Sequence, residues 1–503
     1  MEITFFSLLS TVFFFSGFAI LLVRSQFRHR NIPPGPRKLP IIGSMHLLFR
    51  RFDQPLHRTL ADMASTYGPL MHLQIGEVPI IVASSAEAAK ELLKKNGVNF
   101  ANRPFFLGMN ILSYNSTDIA NAPYGVYWRH LRKICSMELL SARRVESFEP
   151  LRKKEFAEMC RWIASRQGKS INLSRRIGMA IGYSIAEACI GSKTRKLDLL
   201  MSTIKEMIAI SAGFSIANVY PSVKLLRWFG RFLKPDTEKV HKKLDKIFDE
   251  IIDEHRSTES RRGERREDLV DVLLKHNDPG NDNFLTIDNV KAVITDMFSG
   301  GIETSMSAVD WSMAEMMRHP KVLKEAQDEV RRVFKDEDGI DEAGFDQLDY
   351  LKMVIKEALR MHPPLPLMLP RANSEACEIN GYEVPANGWG IVNAWAIGRD
   401  PKIWEDPDTF KPERFRDNAV DYMGLHFEYI PFGAGRRICP GISMSLALVM
   451  CSLATLLYHF DFALSEAVDM TESSGATSAR KYPLHVIPIV VNPLPEAAAG
   501  ATS

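Results

Sequence analysis

The chain has 503 residues, 46% hydrophobic and 25% charged, the balance of a globular protein with a sizeable core rather than a disordered or fibrous one. Its 63 lysines and arginines nearly balance 61 acids, a net charge of +2, so bulk charge gives no reason to expect a nucleic-acid partner. The six cysteines (Cys135, Cys160, Cys189, Cys377, Cys439, Cys451) include no Cys-x-x-Cys and no pair at structural-zinc spacing, and are read as reduced thiols in a cytosol-facing domain.

The chain opens with "ITFFSLLSTVFFFSGFAILLV", Ile3 to Val23, which carries no charge. As a helix this run is about 31 Å long, enough to cross a bilayer core. A cleaved signal peptide is the competing reading, but its apolar region is shorter, with a basic start and small residues at the cleavage site. Here Arg24, Arg28, Arg30, Arg37 and Lys38 follow the apolar run. That order predicts an uncleaved anchor over 1–23 with the rest of the chain in the cytosol. Residues 24–40 form a basic hinge, stiffened by Pro33, Pro34 and Pro36. No repeat or composition break divides 41–503, so a single large domain is expected.

Strand signals are few. "LMHLQIGEVPIIVAS" (Leu70 to Ser84) alternates and turns near Gly76, and "ACEINGYEVPANG" sets Asn380-Gly381 between short apolar runs, a hairpin signal. "RSTESRRGERRED", Arg256 to Asp268, reads as a solvated connection between helices. Most of the rest has helical period. The longest candidate runs from Ile287 to Arg318 with Thr286 as its cap, nearly 50 Å at ~1.5 Å per residue. The expected class is mainly α with a small β portion.

"PFGAGRRICPG", Pro431 to Gly441, holds one cysteine among glycines and arginines. Arg436 and Arg437 are expected to lower the thiol pKa, and glycines let backbone N–H groups approach the sulfur. One stabilised thiolate without a second protein ligand suits the axial position of a haem iron. The loop resembles the cysteine-ligand loop of the cytochrome P450 family. By that resemblance Cys439 binds the iron of haem b, Phe432 shields the sulfur, and Gly433, Gly435 and Gly441 permit the tight loop. Arg437 would face a haem propionate and Arg436 the solvent.

Other motifs follow in the family's order. "EALR" places Glu357 and Arg360 on one helix face. With Arg414 of "FKPERF" they are expected to form a buried structural network. "DMFSGGIETSMS" puts two glycines inside the long helix, where each costs about 1 kcal/mol. They mark either a close helix crossing or a turn opened beside a ligand. Gly300 to Thr304 resembles the family's oxygen-activation motif. It implies that Thr304 hydrogen-bonds dioxygen or a water at the iron, and that Glu303 relays protons. In "YWRHLRKIC", Trp128 and Arg132 would contact propionates, as would Arg371 of "LPRAN".

By family position, the substrate pocket draws on the loop from Phe105 to Ala122, the segment Ala212 to Val219, the long helix, "PLPLMLP" and "SSGATS". Phe106, Met109, Met297, Gly301, Ile302, Leu367, Met368 and Ala476 are expected to line it. With no acid standing out among these positions, the pocket favours a bulky apolar substrate, a sesquiterpenoid or diterpenoid, with an indole-type alkaloid second. No Gly-x-Gly-x-x-Gly is present, so electrons are expected from an NADPH-dependent cytochrome P450 reductase at the endoplasmic reticulum membrane, steered by Lys133 and Arg436. The rival classes are a haem-thiolate enzyme that rearranges peroxides without oxygen, and a haem-binding protein without turnover.

Overall fold

The computed structural model describes residues 31–49, 54–191, 197–211, 216–223, 225–226, 235–257, 267–277, 280, 284–335 and 339–494. The predicted anchor over 1–23 and most of the "RSTESRRGERRED" segment lie outside the described residues. The hinge residues that are described lie along the domain's sheets. His72 N–H bonds the Pro34 carbonyl, and Asn31 pairs with the second hairpin through Glu383 N–H and the Gly381 carbonyl.

Both predicted hairpins form. Leu70–Ile75 (β1) and Val78–Ala83 (β2) pair antiparallel around Gly76, whose φ is +57°. Alternation sends Ile81 and Ala83 to one apolar cluster and Ile80 and Val82 to another, so both faces of the sheet are covered. Cys377–Ile379 (β5) and Tyr382–Val384 (β6) turn through Asn380 and Gly381, both at positive φ, as a two-residue hairpin loop of this type demands. Trp389–Val392 (β7) adds parallel to β2, and Arg371–Ala372 (β4) antiparallel to β7, giving the order β1-β2-β7-β4. Ile171–Asn172 (β3), His485–Val490 (β9) and Phe460–Ala463 (β8) make the third sheet.

The remainder is mainly helical. The principal helices are Val126–Ile134 (α1), Glu149–Ala164 (α2), Leu173–Ile190 (α3), Leu197–Ser211 (α4), Pro235–Ser257 (α5), Ile287–Arg318 (α6), Pro320–Val333 (α7), Asp349–Met361 (α8) and Ile442–His459 (α9). α6 begins and ends where the sequence places it. Thr286 Oγ1 accepts Asn289 N–H while the Asn289 side chain accepts Thr286 N–H, a reciprocal cap. The helix runs through the interior against α3, α8 and α9. α9 is long and apolar enough to cross a membrane by length and composition, with a mean hydropathy of 1.7. It instead packs among α2, α6 and α7 as a core helix.

α8 carries the ion network. Glu357 receives Arg360 Nε at 2.7 Å and Nη2 at 2.8 Å, and Arg414 Nε at 2.9 Å. The Glu357 and Arg360 side chains are both 0% exposed. Arg360 also donates to the carbonyls of Gly398 and Pro407, and Lys411 N–H to Glu357. One acid therefore joins α8 to the segment that leads into the cysteine loop.

Candidate active site

The cysteine loop is fixed by its own backbone. Gly433 N–H bonds the Ile430 carbonyl, Cys439 N–H the Phe432 carbonyl at 3.0 Å, and Ile438 N–H the Gly435 carbonyl. Gly435 stands at φ +70°, where a Cβ would lie 2.3 Å from the Leu93 carbonyl oxygen, so this position admits only glycine. Gly441 N–H points at Cys439 Sγ, 3.3 Å away. Burial pushes the thiol pKa up, while Gly441 N–H and the charge of Arg132 oppose the rise. The cation that acts on the sulfur is thus Arg132 of α1, and not Arg436 or Arg437 as expected from sequence. Arg436 is exposed, with Nη1 3.3 Å from Tyr124 Oη.

Cys439 lies in the wall of a large internal cavity. Arg103, Arg132, Arg371 and Arg437 line the same cavity. Burial, then the charge of Arg437, bring Arg371 down to about 9. Burial brings Arg437 down to about 10, with Arg132 adding to the drop and Asp118 opposing it. Arg437 is also held by the carbonyls of Ala101, Ile119 and Ala122, and stacks 4.2 Å over the Trp128 ring. Trp128 lines the cavity too, but its indole N–H is taken by the Ile119 carbonyl at 2.9 Å. Phe432, Gly433 and Gly441 complete this side.

α6 supplies the opposite chemistry. Asp296, Met297, Ser299, Gly300, Gly301, Glu303, Thr304, Ser305 and Ala308 line the cavity, one broad helical stripe. The two glycines divide the two readings made of them. A Cβ on Gly301 would lie 3.0 Å from Ile185 Cδ1 of α3, a close crossing, whereas one on Gly300 would meet nothing within 4 Å. Thr304 Oγ1 donates to the Gly300 carbonyl at 2.5 Å, and Glu303 Oε1 accepts from Thr477 Oγ1 at 2.6 Å.

Of the expected pocket residues, Met109, Met297, Gly301 and Met368 line the cavity. Four others do not. Ile302 stands two positions from Thr304, about 200° around the helix, and faces α3 near Gly182. Phe106 packs on Trp389 of β7, ring centroids 5.1 Å apart. Leu367 joins the same apolar cluster, because Met368 takes a left-handed φ of +52° and breaks the alternation of "PLPLMLP". Ala476 is exposed and its neighbour Thr477 enters instead. In the Ala212–Val219 segment, 212–215 lie outside the described residues; Asn218 Oδ1 accepts Leu107 N–H and so steadies the helix that carries Met109.

The Cytochrome P450 family profile matches residues 33–486. The chain belongs to the cytochrome P450 family. It is 46% identical to salviol synthase of Salvia pomifera over 98% of this chain and all of that one. It is 44% identical to premnaspirodiene oxygenase of Hyoscyamus muticus over 96% of this chain and 98% of that one. It is also 44% identical to tabersonine 16-hydroxylase 2 of Catharanthus roseus over 97% and 98%. The fold matches that of a zebra fish cytochrome P450 solved with abiraterone, with a TM-score of 0.74 at 23% identity over 87% of this chain and 99% of that one.

Membership implies a haem iron, and the cavity of this P450 fits one. A sulfur that accepts the Gly441 N–H lies in its wall, and buried guanidinium groups that repel one another suit the two carboxylates of a porphyrin. Sequence reasoning leaves Asp296 on the long helix without a role and does not single out Arg103. Asp296 lies four and eight residues before Gly300 and Thr304, a helical spacing that marks it, and it lines the cavity despite the expectation of a pocket without a prominent acid. Burial holds its carboxyl well above the ordinary carboxylate range, and the neighbouring Asp118 adds to this. Arg103 donates to the carbonyls of Ala120, Leu369 and Pro370, all reached only through the tertiary fold.

Proposed function

We propose that this P450 is an NADPH- and O2-dependent monooxygenase that hydroxylates an apolar polycyclic specialised metabolite, a sesquiterpenoid or diterpenoid, using haem b bound through Cys439. The observation that carries the reading is the make-up of one cavity: the Cys439 thiol and the guanidinium groups of Arg132, Arg371 and Arg437 line it together with Met109, Ile185, Ile208, Met297 and Met368. When bound, the haem supplies the activation of O2 that puts one oxygen atom into a C–H bond and releases the other as water, with two electrons from NADPH. Arg132, Arg371 and Arg437 hold its propionates. The apolar residues bind the substrate and exclude water. Thr304 presents its hydroxyl beside the open face at Gly300, and Glu303, oriented by Thr477, delivers protons toward it.

The terpenoid reading rests on the apolar lining and on the state of Asp296. Its Oδ2 is taken by the backbone N–H groups of Ile119 and Ala120, and Glu303 Oε1 by the Thr477 hydroxyl, so both acids of α6 in the lining are engaged within the protein rather than set out for a cationic amine. An indole-type alkaloid is the second reading, favoured by the likeness to tabersonine 16-hydroxylase 2. The electron donor is an NADPH-dependent cytochrome P450 reductase, its acidic surface drawn to Lys133 and Arg436, both exposed. Residues 1–23 anchor the chain in the endoplasmic reticulum membrane with the catalytic domain in the cytosol. The test is expression with a reductase in microsomes and a product screen against terpene hydrocarbons, their alcohols and alkaloid scaffolds. A product that requires NADPH and O2 is expected. Product with peroxide alone, and none with NADPH and reductase, overturns the reading in favour of a peroxide-rearranging enzyme.

A further inference from the structure

The loop that closes the cavity above α1 is clamped by two acids. Asp118, 1% exposed, accepts Asn121 N–H through Oδ1 at 3.2 Å and Asn121 Nδ2 through Oδ2 at 2.6 Å. Asp296 Oδ2 accepts the backbone N–H groups of Ile119 at 2.8 Å and Ala120 at 3.1 Å, and its carboxyl hydrogen-bonds Asp118. Arg103 Nε holds the Ala120 carbonyl at 2.8 Å. Asn121 itself lines the cavity. Its NH2 group is committed to a carboxylate oxygen, and a flipped amide would set Oδ1 against that oxygen, acceptor against acceptor. The orientation of the amide is therefore fixed, with Oδ1 turned away from Asp118.

We infer that Asn121 Oδ1 is a substrate-selecting acceptor, and that the preferred substrate is an apolar polycycle that already carries a hydroxyl group. The inference rests on the monooxygenase reading above and narrows its substrate class. A hydroxyl donating to Asn121 orients a skeleton that Met109, Ile185, Ile208 and Met297 otherwise grip without direction. A hydrocarbon leaves the acceptor unpaired once water is displaced, which is what makes such a site discriminate. The reaction that supplies the substrate is accordingly an earlier oxygenation of the same skeleton. An indole N–H offers the same donor chemistry, so the test contains both sources.

The test is a spectroscopic binding titration of the haem-loaded full chain with matched pairs: a terpenoid alcohol against its methyl ether, and an indole alkaloid against its N-methyl derivative. The terpenoid alcohol is expected to bind about tenfold more tightly than its ether, and Asn121→Leu to abolish that ratio while the carbon-monoxide spectrum stays unchanged. The ratio on the native chain stands as a second measurement should the variant fail to fold. Equal binding of the terpenoid pair with normal turnover overturns the role of Asn121 and leaves the terpenoid reading intact. A ratio that survives in Asn121→Leu does the same. A ratio seen with the indole pair alone overturns the hydroxylated terpenoid and keeps Asn121 as the acceptor.

Discussion

Thr304 and Ile302 show how narrowly a site is specified at the residue scale. They are two positions apart on one helix, yet one faces the cavity and the other α3, because each residue turns the helix by about 100°. The period alone marks Asp296, Gly300 and Thr304 as one stripe, so this part of the site is legible in the sequence. What is not legible is which side chains across the cavity meet it, such as Thr477 on Glu303, since 174 residues separate them. Thr304→Val removes the hydroxyl at nearly constant volume. Product formation is expected to fall by on the order of 10²-fold while NADPH oxidation continues, read as the ratio of product to NADPH consumed.

Helix ends and tight turns were the most readable elements, because they rest on contacts between near neighbours in sequence. The reciprocal cap at Thr286 and the Asn380-Gly381 hairpin are of this kind. Three of the four misplaced pocket residues, Phe106, Leu367 and Ala476, stand where the chain is neither helix nor strand, and the left-handed Met368 redirects the segment beside Leu367, whereas Ile302 fails on its phase within α6. The ion network belongs to this scale because it binds α8 to the loop that precedes Cys439. Glu357→Ala leaves Arg360 charged and 0% exposed without its acid. The variant should lose about 3–5 kcal/mol of stability in denaturant titration, and with it the ability to retain haem. A loss below about 1 kcal/mol would show that the network is incidental.

Across the whole molecule, distant segments are joined by buried charge. Glu472 Oε2 bonds His57 Nε2 at 3.0 Å and Arg58 Nε at 2.8 Å, a link across more than 400 residues that no sequence pattern announces. Burial pushes the Glu472 carboxyl up, but these two partners outweigh it and bring it from 4.5 to about 2. The depressed value means that its stabilisation is complete above about 4.5 and is lost as pH falls toward 2. Glu472→Gln should therefore be less stable than the native chain near neutral pH, with the gap closing as the buffer is taken from about pH 6 to about pH 3, followed by denaturant midpoints. Topology is tested by the sequons Asn115-Ser116-Thr117 and Asn172-Leu173-Ser174. Asn115 is exposed, whereas the Asn172 side chain caps α3 through Arg175 N–H. With the domain in the cytosol neither site meets the glycosylating enzymes, so expression in a eukaryotic cell should give no glycosidase-sensitive mass shift; a shift places the domain in the lumen.

The central claim is that Cys439 is the thiolate ligand of a haem iron in this cavity. The measurement that bears on it most directly is the carbon-monoxide difference spectrum of the reduced protein, native and Cys439→Ala, at matched chain concentration. The native protein is expected to show the absorbance band of a thiolate-ligated haem, and the variant to lack it while keeping its helical circular dichroism. A variant that retains the band, or a native protein that binds haem without it, contradicts the account.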